Sequence, residues 1–252
     1  MRALIIVLVA VGAYLFGNIN WALLITKFQK KSIREVGSGN PGTMNMLRSF
    51  GRGLGILTLI LDILKGAIPC ILGWFLIDGL SFASSDPVTL TGIVMQGGDR
   101  LGLYVGGFGV ILGHVFPVFL KFKGGKGVAC AIGVCLVAQP IVALITLTIG
   151  IVFLIFFKLG SIASFIIIGF PLGFEAFRIS AAALEFGLDA DRIASMVIVF
   201  ATILFIVFTH RKNVYKLFYG TESRTVLFGK NRSAKKSLEE MNKEAEQGET
   251  VS

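Results

Sequence analysis

Leu54 to Ile77 reads Leu-Gly-Ile-Leu-Thr-Leu-Ile-Leu-Asp-Ile-Leu-Lys-Gly-Ala-Ile-Pro-Cys-Ile-Leu-Gly-Trp-Phe-Leu-Ile. A helix needs roughly 20 predominantly apolar residues to cross the hydrocarbon of a bilayer, and this stretch is long enough. Two charges, Asp62 and Lys65, interrupt it near its middle. Charges at that depth cost about 3 kcal/mol each on insertion scales and seldom persist without a partner or a function. Three residues apart on a helix, the two share a face and can pair. They read either as a buried ion pair that fixes helix packing or as a direct part of a site.

Outward from this stretch the same pattern recurs. Ala3–Ile25 is a first span, longer than a signal-peptide core and without a small-residue cleavage site, and is read as a retained helix. Leu101–Leu120 follows, broken near its end by His114 and Pro117. The long apolar run from Val128 to Phe157 divides at Gln139-Pro140 into a short span ending at Ala138 and a longer one over Ile141–Phe157. Ser161–Phe177, with Pro171 and Glu175 inside, and Ile193–Thr209 complete the set, joined by a polar link over 178–192. The chain is 54% hydrophobic and 15% charged, with mean hydropathy +0.81. Continuous apolar runs rather than alternation indicate an all-α integral membrane protein, a bundle of about seven transmembrane helices and not a barrel. Residues 1–222 are expected to form a single transmembrane catalytic domain. Residues 223–252 are a charged, solvated tail with room for a short surface helix over 237–246. Cys70, Cys130 and Cys135 lie in apolar segments without ligand or redox spacing and are expected to pack as small hydrophobes.

Lysines and arginines set the orientation. With seven spans, one side receives fourteen: Lys27, Lys30, Lys31, Arg34, Arg48, Arg52, Lys121, Lys123, Lys126, Lys158, Arg211, Lys212, Lys216 and Arg224. The other receives Arg2, Arg100, Arg178 and Arg192. The positive-inside rule then places the N-terminus outside and the C-terminus in the cytoplasm. Four polar, turn-rich stretches, 37–48, 121–127, 158–164 and 210–222, consequently share the cytoplasmic face. The formal charge of +9 is explained by orientation and anionic lipid headgroups, and nucleic acid need not be invoked.

The first of these stretches, Gly37 to Arg48, is Gly-Ser-Gly-Asn-Pro-Gly-Thr-Met-Asn-Met-Leu-Arg. Its glycines suit a nest of backbone N–H groups for an anion, and the same composition suits a flexible turn. Arg48, Lys126, His210 and Asn213 add donors, and a site made of donors wants an anion such as phosphate. Gly124-Gly125-Lys126-Gly127 lacks the first glycine and the Ser or Thr of a nucleotide-binding P-loop. Two histidines without a nearby carboxylate cluster give no metal motif, and no cofactor is indicated. His114 reads as a helix-packing hydrogen-bond donor, whereas His210, at a membrane exit, reads as a base or a phosphate ligand. No nucleophile elbow is present, so direct transfer between two bound substrates is the simplest chemistry. A transporter of phosphorylated metabolites is the alternative, opposed by the lack of an inverted repeat and of a matching basic site on the outer face.

Gly37–Arg48, Gly113–Ala129 (Gly-His-Val-Phe-Pro-Val-Phe-Leu-Lys-Phe-Lys-Gly-Gly-Lys-Gly-Val-Ala) and His210–Val214 with Gly220-Thr221-Glu222 resemble, in the same order, the three motifs of bacterial acyl-phosphate:glycerol-3-phosphate acyltransferases. Asp62–Gly66 and Gly160–Ser164 resemble further segments of that family; Thr43-Met44, Cys130 and Asn18–Asn20 depart from its usual residues. The resemblance implies transfer of a fatty acyl group from acyl phosphate to the sn-1 hydroxyl of glycerol 3-phosphate, giving lysophosphatidic acid and phosphate at the cytoplasmic face of the bacterial cytoplasmic membrane, the first acylation of phospholipid synthesis. It assigns Ser38, Arg48, Lys126, Ser161, His210 and Asn213 to the two phosphates and the hydroxyl. Asn40, Asn45 and Ser164 stand beside them, and Gly124 and Gly125 shape the second loop. His210, Lys126, Ser38 and Asn213 are its catalytic candidates. The hydroxyl proton goes to His210 or, the preferred reading, to the phosphate of the acyl donor. Membrane lipids are the expected surroundings and a monomer the expected state.

Overall fold

The computed structural model describes residues 1–29, 31–79 and 100–221. Within them lie helices α1 (Arg2–Gly17), α2 (Trp21–Lys27), α3 (Thr43–Ser49), α4 (Arg52–Asp78), α5 (Leu101–Val115), α6 (Val128–Ala138), α7 (Pro140–Phe157), α8 (Gly160–Phe186) and α9 (Ala190–Phe218), with a 3-10 turn at Val118–Leu120. Six stretches are long and apolar enough to cross a membrane: Arg2–Lys27, which is α1 with α2, then α4, Leu101–Leu120, α7, α8 and α9. Helix α6 has 11 residues and rises about 16 Å, roughly half the hydrocarbon thickness. Among the described residues, the expected bundle of about seven helices thus comprises six of spanning length and one of about half that height. Leu144, Ile149 and Phe156 on α7 and Val197, Phe200 and Leu204 on α9 are exposed, an apolar surface suited to lipid.

Three boundaries differ from the sequence reading. The first span is broken at Asn18–Asn20, where Asn18 Nδ2 donates to the Tyr14 carbonyl (2.6 Å) and Asn20 Oδ1 accepts the Leu23 amide (3.0 Å), starting α2. Helix α8 does not stop at Phe177. It runs on to Phe186 because Arg178 turns inward onto Glu175 (2.8 Å) one turn earlier, so residues 178–186 are helix and not link. Helix α9 likewise continues past Thr209 to Phe218, placing His210 and Asn213 on its helical surface. Lys30, most of the 78–100 loop, Glu222, Arg224 and the 223–252 tail lie outside the described residues.

Small residues let the helix backbones touch. A Cβ on Gly102 of α5 would stand 2.0 Å from the Gly73 carbonyl of α4, and one on Gly73 would stand 2.1 Å from the Gly102 carbonyl. Such close approach replaces the hydrophobic drive that lipid cannot supply. Far from the four polar stretches, Arg2 ties α1 to Asp191 (2.5 Å) and Asp78 (3.7 Å), and Asp78 accepts the Gly102 amide (2.8 Å).

The turn at Gln139 would leave polar backbone inside the hydrocarbon, and a buried network answers it. Arg100 Nη1 donates to the Ala138 carbonyl (2.7 Å) while its guanidinium lies 5.3 Å from the Trp74 ring. Gln139 Nε2 donates to Glu175 Oε2 (2.5 Å). Glu175 also accepts from the Tyr104 hydroxyl and from Arg178, and Arg178 Nη2 donates to the Tyr104 oxygen (2.8 Å). Nothing in the sequence reading joined these five residues. With its far end capped in this way, α6 is packed by Cys130, Ala131, Ile132, Val134 and Cys135, all buried.

Gly102→Val is expected to cost about 1–3 kcal/mol by overpacking. The melting temperature of the purified protein in detergent reads this as a clear drop, and an unchanged value would mean that α4 and α5 are not in backbone contact.

Candidate active site

The stretch Gly37 to Arg48 folds into a tied loop closed by α3. Gly37 (φ +59°) and Gly39 (φ +67°) both occupy the left-handed region, a conformation glycine adopts without strain, and they flank the exposed Ser38. Asn45 is buried beneath. Its Oδ1 accepts the Ser38 amide (3.1 Å), and its Nδ2 donates to the carbonyls of Ile33 (3.1 Å) and Val36 (3.0 Å). Ala22, Ile33 and Met46, with Leu23, Val36 and Phe50 around them, form a small apolar core under the loop. The loop is thus neither slack nor an open nest. The amides of Ser38 and Gly39 are consumed within it, by Asn45 and by the Val36 carbonyl (3.1 Å). What it offers outward is the Ser38 side chain, with Arg48 half-buried in the last turn of α3. Asn40 is half-buried, its carbonyl accepting the Gly42 amide (2.9 Å).

The second loop shows the same economy. Gly124 N donates to the Val115 carbonyl and Gly125 N to the His114 carbonyl, each at 3.1 Å, so these two amides cap α5 instead of facing an anion. Gly124 and Gly125 thus shape the second loop as a helix cap and not as a second nest for an anion. The capped loop delivers Lys126, half-buried, immediately before Gly127, which N-caps α6 at φ +82°.

Four contacts bring the stretches together. Arg34 Nη2 donates to the Lys123 carbonyl (2.6 Å), joining the first loop to the second. Thr209 Oγ1 donates to the Lys126 carbonyl (3.2 Å), joining the second loop to α9. The His210 and Phe165 rings, 5.3 Å apart, join α9 to α8. Asn18 Oδ1 accepts the Phe119 amide (3.4 Å), tying the end of α1 to the same region. Ser161, fully buried, and Ser164, whose hydroxyl donates back to the Gly160 carbonyl (2.8 Å), stand in the first turns of α8.

His210 is 1% exposed, and its Nδ1 lies 3.0 Å from the Ile206 carbonyl. Thr209 Oγ1 lies 3.1 Å from the same nitrogen; with the proton on Nδ1 donated to the carbonyl, Nε2 of the neutral ring carries the lone pair. Asn213 follows one turn later, half-buried. The described parts of the four stretches contain Arg48, Lys126 and His210 and no carboxylate. An arrangement of cations, hydroxyls and one oriented imidazole can neutralise phosphate and hold a polar acceptor beside it.

Residues 7–220 match the family model described as glycerol-3-phosphate acyltransferase. Among similar curated proteins, a glycerol-3-phosphate acyltransferase of Thermoanaerobacter pseudethanolicus is 35% identical over 222 residues, covering 86% of this chain and 94% of that protein. One of Paraburkholderia phytofirmans is 36% identical over 219 residues, covering 86% and 89%. Among solved structures, the glycerol 3-phosphate form of PlsY (YgiH), an integral membrane glycerol 3-phosphate acyltransferase, superposes with TM-score 0.64 at 31% identity, covering 89% of this chain and 96% of that one. Its lysophosphatidic acid form gives 0.63 at 30% identity, with the same coverage.

Asn45→Ala removes three hydrogen bonds that tie the first loop, each worth about 1 kcal/mol. Hydrogen exchange at the Ser38 and Gly39 amides, followed by mass spectrometry, is expected to rise at least about tenfold, and unchanged protection would show that the loop is held by other means.

Proposed function

The chain belongs to the glycerol-3-phosphate acyltransferase family, and from that premise we propose that it transfers a fatty acyl group from acyl phosphate to the sn-1 hydroxyl of glycerol 3-phosphate, releasing lysophosphatidic acid and inorganic phosphate. The observation that carries this reading is the meeting of Arg34 with Lys123 and of Thr209 with Lys126, which draws two basic loops and a buried histidine to one end of a membrane bundle. Both substrates carry phosphate. One is water-soluble, and the other has a tail that belongs in the bilayer, so a site at the membrane surface serves both. The excess of lysine and arginine on this side favours the cytoplasmic face of the bacterial cytoplasmic membrane, with the N-terminus outside and the chain acting as a monomer.

Arg48 and Lys126 both reach the phosphate of glycerol 3-phosphate and between them hold that of the acyl donor, with Ser38 and Ser161 as hydroxyl partners. His210 Nε2 and Asn213 orient the attacking hydroxyl. Its oxygen adds to the acyl carbonyl, and Lys126 stabilises the negative charge that develops there. The bond from the acyl carbon to the phosphate oxygen then breaks, and phosphate leaves with that bonding pair. The hydroxyl proton passes to the departing phosphate, which gains negative charge as it leaves. Asn40 and Asn45 keep the first loop in place, and Ser164 stays with the helix of Ser161.

Purified protein in detergent is expected to release phosphate from palmitoyl phosphate only when glycerol 3-phosphate is present, and to form no lysophosphatidic acid from acyl-CoA or acyl carrier protein. Lysophosphatidic acid made equally well from a thioester would overturn the donor. Lys126→Ala is expected to lower kcat at least about 100-fold, as loss of an oxyanion donor does, and unchanged turnover would remove Lys126 from the site.

A further inference from the structure

Asp62 and Lys65, inside α4, are not among the residues assigned to the candidate site. Lys65 is 1% exposed. Its Nζ donates to the carbonyl of Ile19 (2.5 Å) and approaches that of Gly17 (3.4 Å); it lies 3.1 Å from Asp62 Oδ1 and 2.9 Å from His114 Nδ1. Gly17 and Ile19 present the carbonyls left open where α1 breaks from α2. Asn20, the next residue, starts α2 and reaches the Pro41 carbonyl in the first loop (3.4 Å). On the other side, a Cβ on Gly125 would lie 2.3 Å from His114 Nε2, so the second loop rests directly on that ring. One ammonium therefore touches both the break that leads into the first loop and the ring that carries the second. Cys130 joins Asp62 and His114, with potential ligand atoms within 4.8 Å of one another, but Lys65 already brings a cation to that cluster.

We propose that Lys65 is a positioning residue for acyl transfer. Bridging the Ile19 carbonyl and His114, it sets the spacing between the loop of Ser38 and Arg48 and the loop of Lys126. This rests on the acyltransferase reading above. Lys65 acts through these contacts and not on the substrate: its N–H groups serve the Ile19 and Gly17 carbonyls and His114 Nδ1, with the Asp62 carboxylate 3.1 Å away. Asp62 balances its charge.

Lys65→Met alone would leave Asp62 buried without its cation, which is strongly destabilising, whereas replacing both charges by neutral groups of similar shape is often tolerated. The test therefore compares wild type, Lys65→Met, the double variant Asp62→Asn/Lys65→Met, and His114→Phe, in detergent, for kcat, KM of both substrates and melting temperature. In the double variant the melting temperature is expected to return towards the wild-type value while kcat/KM for glycerol 3-phosphate stays down about 100-fold, the scale of an ångström of misplacement. A purely structural pair makes activity recover with the melting temperature, and that result overturns the proposal. His114→Phe keeps a ring under Gly125 but takes away the acceptor. It is expected to lose about tenfold or more in kcat/KM at near-wild-type stability, and wild-type kinetics in it overturn the proposal even if the double variant does not fold. A wild-type chain that makes no lysophosphatidic acid overturns the functional reading itself, and this proposal with it.

Discussion

The ammonium of Lys65 is held inside an apolar helix bundle, where water cannot solvate it, so the chain must supply every partner itself. It does so with a carboxylate one turn away, an imidazole from α5 and carbonyls from the break after α1. The break is needed for those carbonyls to be available, and the imidazole must stand at the end of α5 where the second loop turns back. A single desolvated charge thereby constrains α1, α4, α5 and both polar loops. The same logic acts at the far end of α6, where the polar groups of the Gln139 turn are met in hydrocarbon by Arg100 on the Ala138 carbonyl and Glu175 on the Gln139 side-chain amide. Helix α6 is fixed at that end by buried polar contacts, and just before its other end the Lys126 carbonyl accepts from Thr209 Oγ1 (3.2 Å).

Much of this architecture is legible in residue order. Apolar runs of about 20 residues mark the spans because hydrocarbon thickness leaves no alternative, and Pro140 and Pro117 coincide with breaks, whereas Pro69 and Pro171 lie within continuous helices. The pairing of Asp62 with Lys65 follows from their spacing and is present at 3.1 Å. Their third partner, His114, lies 49 residues from Lys65, and no local pattern announces it. Asn18 and Asn20 break the first span through side-chain hydrogen bonds that an apolar average conceals. Arg178 reads as a loop charge until its partner Glu175, one turn earlier, is seen to be buried with it.

The loops were legible in composition but not in the destination of their hydrogen bonds. Glycine, serine and asparagine in this density suit an anion nest, a slack turn or a tied loop equally. Tertiary contacts decide among them, because Asn45 takes the Ser38 amide and the end of α5 takes those of Gly124 and Gly125. With those amides consumed, the phosphate site proposed above rests on side chains. That shifts weight onto Arg48, Lys126 and His210, which are 78 and 84 residues apart in order along the chain and whose segments the bundle ties together at one end.

The central claim is that these three residues serve one site. Calorimetric titration of glycerol 3-phosphate into the protein in detergent, without acyl donor, tests it most directly for wild type, Arg48→Ala, Lys126→Ala and His210→Ala. A single shared site predicts that each substitution weakens binding about tenfold or more, since each removes a charged or oriented partner of the ligand. Loss confined to one variant, with the other two binding like wild type, would contradict a shared site and leave the loops as neighbours without a common ligand.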